Sequence, residues 1–329
     1  MQNILDASGD LEMVTSRKNA NSGYWAYANN FTYNAAGAVT SMQLGNGTWE
    51  GTTFNSRLQP TQIALGVTQG TMGLLKLDYA YGTTANNGNV LTQTITVPDV
   101  GEKDGFAAVQ TYNYDDLNRL DDATEMLTPN GGSATQTWKQ AVIFDRYGNR
   151  NFDESNTNFT GFLKECGGSM CTDLKKRLNP SINTSDNRLS SGDDYAFDDA
   201  GNTTSDPDDR TFIYDAENKQ VEVKDDQNSA IGQYWYDGDG RRVKKLVPGT
   251  GEITIFVYDA AGKLVAEYST IVASTNDAKV AYLTNDHLGS PRINIDKNGK
   301  VTARHDYHPF GEETLTSQPA ITSDVSFRR

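Results

Sequence analysis

Residues 211–269 read TFIYDAENKQVEVKDDQNSAIGQYWYDGDGRRVKKLVPGTGEITIFVYDAAGKLVAEYS, and one short unit recurs in them. Its copies are Tyr214-Asp215-Ala216-Glu217-Asn218-Lys219, Tyr236-Asp237-Gly238-Asp239-Gly240-Arg241 and Tyr258-Asp259-Ala260-Ala261-Gly262-Lys263. The order is an aromatic, Asp or Asn, two variable residues, Gly or Asn, then a polar residue. The Asp or Asn oxygen accepts a hydrogen bond from the backbone two residues on, nucleating a type I turn. Gly or Asn three places later supplies the left-handed conformation that closes it. Such a turn joins hairpin strands through a bulge. The flanks FIYD, KQVEVKD, ITIFVYD and KLVAEYS read as strands, and VEVK and LVAEY alternate with period two. The 22-residue spacing from Tyr214 to Tyr236, and again to Tyr258, therefore measures one β-hairpin.

Outward from this stretch the unit continues. Phe197-Asp198-Asp199-Ala200-Gly201-Asn202 lies 17 residues before Tyr214. Tyr33-Asn34-Ala35-Ala36-Gly37, Tyr114 to Arg119 and Phe144 to Asn149 precede it, with weaker copies at Phe54 to Leu58 and Ile295 to Gly299. No apolar pattern of helical period persists for three turns. A lone hairpin is marginal in water, so the units must add edge to edge. The fold class expected is all-β, with tandem antiparallel β-hairpin repeats forming a continuous curved sheet. One face carries aromatic and β-branched residues and the other stays polar, more a wall than a ball.

Composition agrees with a thin wall. Hydrophobic residues are only 36% of 329, yet the chain holds 16 Tyr and 30 Gly. The 29 basic and 43 acidic residues give a net charge of −14, spread along the chain. That balance opposes binding to nucleic acid or to an anionic membrane, because phosphate affinity rests on Lys and Arg. No run approaches the roughly 18 apolar residues of a membrane span. The start, MQNILDASGDLEMV, has neither a basic nor an apolar leader region, so any export signal is expected outside this chain. Cys166 and Cys171 lie in the Gly-rich stretch ECGGSMCTDL. Four ligands are wanting for zinc. A local disulfide, which would suggest an oxidising compartment, is preferred over two free thiols.

From Tyr282 to Glu313 the sequence runs YLTNDHLGSPRINIDKNGKVTARHDYHPFGEE. This resembles the D-H-L-G-S-P-R box and the Tyr-x-Pro-Phe-Gly-Glu box of the Rhs repeat-associated core, and the tandem units resemble the YD repeats of Rhs proteins. The first box is Asp286, His287, Leu288, Gly289, Ser290, Pro291 and Arg292; the second holds Tyr307, Pro309, Phe310, Gly311 and Glu312. The resemblance implies a strip that forms part of a hollow β-cage, bacterial origin, secretion or display at the cell surface, and a partner that is a toxin domain or the rest of an Rhs shell. Many members cleave themselves at an Asp-Pro-containing stretch beyond the second box. The tail TLTSQPAITSDVSFRR has no such motif, and Asp206-Pro207 lies too early, so a partial shell without that centre or its toxin is expected. The organisation expected is YD-type repeats over 1–152, divergent near 60–110; an insertion loop over 153–190; regular repeats over 191–280; the start of the Rhs-associated core over 281–315; and a truncated tail over 316–329.

No catalytic, metal or cofactor site is expected. His305 and His308, three apart on a strand, face opposite sides, and no third ligand has fixed spacing beside them or His287. The run Asp237-Gly238-Asp239-Gly240 resembles a calcium loop, but an EF-hand needs Glu at position 248, which is Pro. Nucleophile elbow, P-loop and dinucleotide fingerprint are all absent, and Ser290 beside His287 does not by itself make a dyad. The second function considered is a carbohydrate-binding adhesion module, with Trp25, Trp49, Trp138 and Trp235 as stacking platforms; the other reading of these rings is that they pack the sheet. A metal-dependent hydrolase using His305 and His308 ranks last. Open sheet edges give an expectation of self-association.

Overall fold

The computed structural model describes residues 2–17, 21–99, 105–158, 175–258, 264–270 and 280–314. Twenty-five strands make up nearly all the regular structure among them. The first sheet begins with β1 (Gln2–Leu5), β2 (Leu11–Ser16), β3 (Trp25–Tyr33), β4 (Val39–Leu44), β5 (Trp49–Phe54) and β6 (Pro60–Gly66). It continues through β7 (Leu75–Ala80), β8 (Thr92–Val97), β9 (Phe106–Tyr114), β10 (Leu120–Pro129), β11 (Thr135–Phe144) and β12 (Arg150–Phe152). A two-stranded ribbon follows, β13 (Ile182–Asn183) and β14 (Arg188–Leu189). The second large sheet holds β15 (Ala196–Phe197), β16 (Thr203–Ser205), β17 (Thr211–Tyr214), β18 (Gln220–Lys224), β19 (Ala230–Tyr236), β20 (Arg242–Val247), β21 (Glu252–Tyr258) and β22 (Leu264–Ser269). A three-stranded sheet closes the series with β23 (Ala281–Asn285), β24 (Pro291–Asp296) and β25 (Val301–Arg304). Within each sheet the neighbour in space is the neighbour in sequence. The hairpins therefore add edge to edge, but in four sheets rather than one continuous strip.

The turns explain the recurring letters. In each, the first residue donates its N–H to the carbonyl four places on and accepts from the N–H three places on, as at Asp215, Asp237 and Asp286. Its side-chain oxygen then accepts two more N–H groups. Asp237 Oδ1 takes those of Asp239 (3.0 Å) and Arg241 (2.9 Å), and Asp215 Oδ1 those of Glu217 (2.9 Å) and Lys219 (3.0 Å). Asp6, Asn34, Asn55, Asp115, Asp145, Asp225 and Asp296 do the same. The fourth residue is left-handed, with φ of 77° at Gly240 and 59° at Asn218. Register breaks at the aromatic before the turn, between Ile213 and Tyr214 and between Trp235 and Tyr236, as a bulged hairpin requires.

Tyrosine recurs for a reason that ring packing alone does not give. Its hydroxyl reaches back across the sheet to the carbonyl leaving the preceding turn of the same kind. Tyr33 donates to Leu11 (2.6 Å), Tyr81 to Pro60 (2.9 Å), Tyr236 to Gln220 (2.8 Å) and Tyr258 to Arg242 (2.9 Å). Each acceptor lies five residues after the Asp or Asn that opens its turn, at Asp6, Asn55, Asp215 and Asp237. Tyr114 makes a comparable bond to Val90 (2.9 Å).

The chain forms two compact units, one of residues 1–143, 152–164 and 277–329, the other of 144–151 and 165–276. In the second, only Val223 and Phe256 are buried hydrophobics among the described residues. Arg242 covers aromatic rings there, 5.5 Å from the Tyr234 centroid and 4.7 Å from that of Phe256. A thin wall describes this sheet. The first unit departs from that expectation. Ile63, Leu65, Leu75, Leu77, Ile95, Phe106 and Ala108 form a core with Tyr282, Ile293 and Ile295 of the three-stranded sheet, which lies on the inner face of the long one. The stretch near 60–110 that fits the repeat poorly is thus the centre of a two-layer core. Its alternation, buried at Leu75, Leu77 and Tyr79, is what a second layer requires.

Leu58 occupies the left-handed position of its turn, with φ of 61°, where the other repeats carry Gly, Asn or Asp. A Cβ costs about 1–2 kcal/mol in that conformation, partly offset by the roughly 0.5–1 kcal/mol entropy of glycine. Leu58→Gly is expected to raise stability by about 0.5–1 kcal/mol. Urea unfolding followed by tryptophan fluorescence measures it, and an unchanged or lower midpoint contradicts the strain.

Candidate functional site

Cross-strand pairing sets one row of side chains across the inner face of the first unit: Tyr79 opposite Gln93, Gln93 opposite Gln110, Gln110 opposite Glu125, and Glu125 opposite Trp138. All five are buried. The adjoining row, Leu77, Ile95 and Ala108, is apolar, so a polar stripe crosses an apolar core. Buried polar groups need partners, and several find them in one another. Glu125 accepts from Gln110 Nε2 (2.8 Å) and Thr137 Oγ1 (2.6 Å), while Tyr112 donates to Gln110 Oε1 (2.6 Å). Burial pushes the Glu125 carboxyl above its ordinary range, and the negative charge of Asp306 adds to the rise; the bonds from Thr137 and Gln110 oppose it.

Both sequence boxes lie over this stripe. Asp286 opens a repeat-type turn, its Oδ1 accepting from Leu288 and Ser290 (2.9 Å each), with Gly289 left-handed at φ 89°. The turn aims His287 edge-on at the Tyr79 ring, 4.5 Å between centroids, and leaves Leu288 exposed. Pro291 starts β24, and Arg292, 2% exposed, sends its guanidinium to Asp306 (2.6 Å) and towards Asp286 (3.7 Å). The second box forms another turn of the same backbone pattern. His308 N–H donates to the Glu312 carbonyl (2.8 Å) and Gly311 N–H to the His308 carbonyl (2.9 Å), with Gly311 left-handed at φ 91°. His308 stands where other turns have Asp, and its ring packs edge-on against Trp138 at 4.8 Å. Tyr307 bridges to Glu313, Pro309 lies within the turn, and Phe310 meets Phe152 at 6.4 Å. Burial pulls the Arg304 guanidinium down to about 10; it donates to the Leu74 carbonyl (3.2 Å).

The boxes therefore anchor the three-stranded sheet at both ends of the stripe, with an ion pair between. His305 instead bonds Glu313 (2.7 Å) and stacks on Tyr307. Among the described residues no three His, Cys, Asp or Glu side chains are grouped to hold a metal. Cys166, Cys171, Asp259 and Gly262 lie outside the described residues. Of the tryptophans considered as sugar platforms, Trp138 is core, Trp235 carries the Lys244 ammonium 4.1 Å over its ring, Trp49 is half-buried, and Trp25 is exposed with its Nε1 donating to Tyr282 (3.1 Å).

Residues 184–328 match the model of the Teneurin YD-shell family. The fold matches solved shells along 95% of the chain: the Tc holotoxin pore of Photorhabdus luminescens at TM-score 0.66 and 17% identity, and the TcdB2–TccC3 complex at 0.69 and 17%. The family match and the recurring Tyr-Asp units identify residues 184–328 as YD-repeat sequence. This YD-repeat chain is also 27% identical over 172 residues to the tRNA3(Ser)-specific nuclease WapA of Bacillus spizizenii. It spans 46% of itself and 7% of that relative there, and 17% of each solved shell chain.

Glu125 gives a pH test. Its folded value lies above the unfolded one, so its share of stability is complete below about pH 4.3 and is lost as pH rises through the folded value. Glu125→Gln is expected to flatten the decline in urea midpoint between about pH 5 and 8; an identical slope in the variant contradicts this.

Proposed function

We propose that the chain is a non-catalytic structural segment of an Rhs-type shell, part of a hollow β-cage that encloses or presents a toxin. The observation that carries this is the fold likeness to Tc shells along 95% of the chain. The boxes support it: Arg292, Asp306, His287 and His308 pack one sheet on another. The partners are then the rest of the shell and a toxin domain, and the setting is secreted or cell-surface. The acidic balance argues against nucleic acid as the shell's own ligand. Open edges such as β1, whose four residues are all exposed, suit pairing with further hairpins or self-association.

Limited proteolysis of the full-length parent protein tests the reading. Encapsulation is expected to leave a segment outside the YD repeats resistant until the shell is denatured; digestion of that segment at the same rate with and without an intact shell contradicts it. The adhesion alternative rests on Trp25, the exposed and oriented indole. A glycan array is expected to stay flat; binding abolished by Trp25→Ala would put adhesion ahead.

A further inference from the structure

We propose that the Asp286–Arg292 hairpin is an acid-sensitive clasp, in which protonation of His287 loosens its seat on β7. The imidazole is held edge-on to Tyr79, whose hydroxyl also receives the His287 backbone N–H (3.4 Å). An imidazolium carries two N–H donors. At Nδ1 the ring is buried and has no acceptor.

Three groups face this ring. On its own turn stands Asp286, whose Oδ1 is already taken by the N–H groups of Leu288 and Ser290 and whose Oδ2 looks to Arg292. From β24 comes the Arg292 cation, and from β7 the Tyr79 phenol, which burial keeps neutral. Burial and Arg292 disfavour the imidazolium while Asp286 favours it, and burial is the largest of the three. The folded histidine thus titrates below its ordinary value of 6.5. Seating is unpenalised above that value, weakens as pH falls below it, and stops weakening once the folded ring is itself protonated. Each unit of separation is tenfold in the seating equilibrium. Glu125, farther along the stripe, responds in the opposite sense and is separated from His287 by mutation. The clasp belongs to this fold whatever the shell contains.

Hydrogen exchange of the full chain, corrected for intrinsic rates, at about pH 7.5 and about pH 5.5 reads the clasp directly. Protection across residues 284–296 is expected to fall about fivefold or more on acidification, relative to residues 211–236. In His287→Phe that loss should vanish. No loss in the parent chain, or an equal loss in the variant, overturns the proposal. If His287→Phe does not fold, an NMR titration of the parent, with His287 identified by its contact to the Tyr79 ring, decides instead. A midpoint below 6.5 supports the clasp, and one at or above 6.5 overturns it.

Discussion

The carboxylate or amide oxygen at the head of each turn is the interaction on which the rest depends. By accepting two backbone N–H groups it satisfies donors that a tight turn otherwise leaves to water. It also fixes the left-handed residue and the bulge, and hence the register of both strands. Three of these Asp residues are held ionised: hydrogen bonds from Asn149 lower Asp145, those of Arg119 lower Asp115, and those of Asn202 lower Asp198 below their ordinary value. Part of the acidic composition is the chemical signature of turns. Asparagine adds a lateral tie that glycine lacks, as where Asn202 donates to Asn218 (2.8 Å).

The turns were legible in the sequence because their determinants are local and identical from copy to copy. Tyr214-Asp215 and Tyr236-Asp237 sit in the hairpins their spacing implies. What escaped was non-local. Tyr81 bonding Pro60, or Glu125 facing Gln110, depends on which strand lies beside which and which face is inward. Gln93, Gln110 and Gln140 stand among alternating apolar residues in β8, β9 and β11, and the strand pattern alone does not say that a second sheet covers them. His287 and Arg292 were recognised by resemblance and His308 only as half of a rejected metal pair, and what they pack against was visible only once Tyr79 and Trp138 stood beneath them.

The two layers also divide the labour between repeat and non-repeat sequence. Repeated hairpins extend a sheet indefinitely and bury little. The irregular strands near 60–110 and the final three strands bury much. The Arg292–Asp306 pair lies over the polar stripe between the two layers, where a buried ion pair adds little net stability but is costly to break by removing one partner.

The tyrosine hydroxyls carry a consequence for how such chains change in length. Each bond reaches the carbonyl leaving the previous turn on the same rim, which lies on the strand paired directly with the tyrosine's own: β2 for Tyr33, β18 for Tyr236 and β20 for Tyr258. Deleting a single strand removes one hydroxyl or its acceptor, while pairs farther along turn over together and keep their bonds. Deleting a whole hairpin brings the next tyrosine opposite an equivalent carbonyl. Gain or loss of a whole hairpin, about 20 residues, therefore leaves every remaining hydroxyl paired, whereas an odd strand costs one such pair.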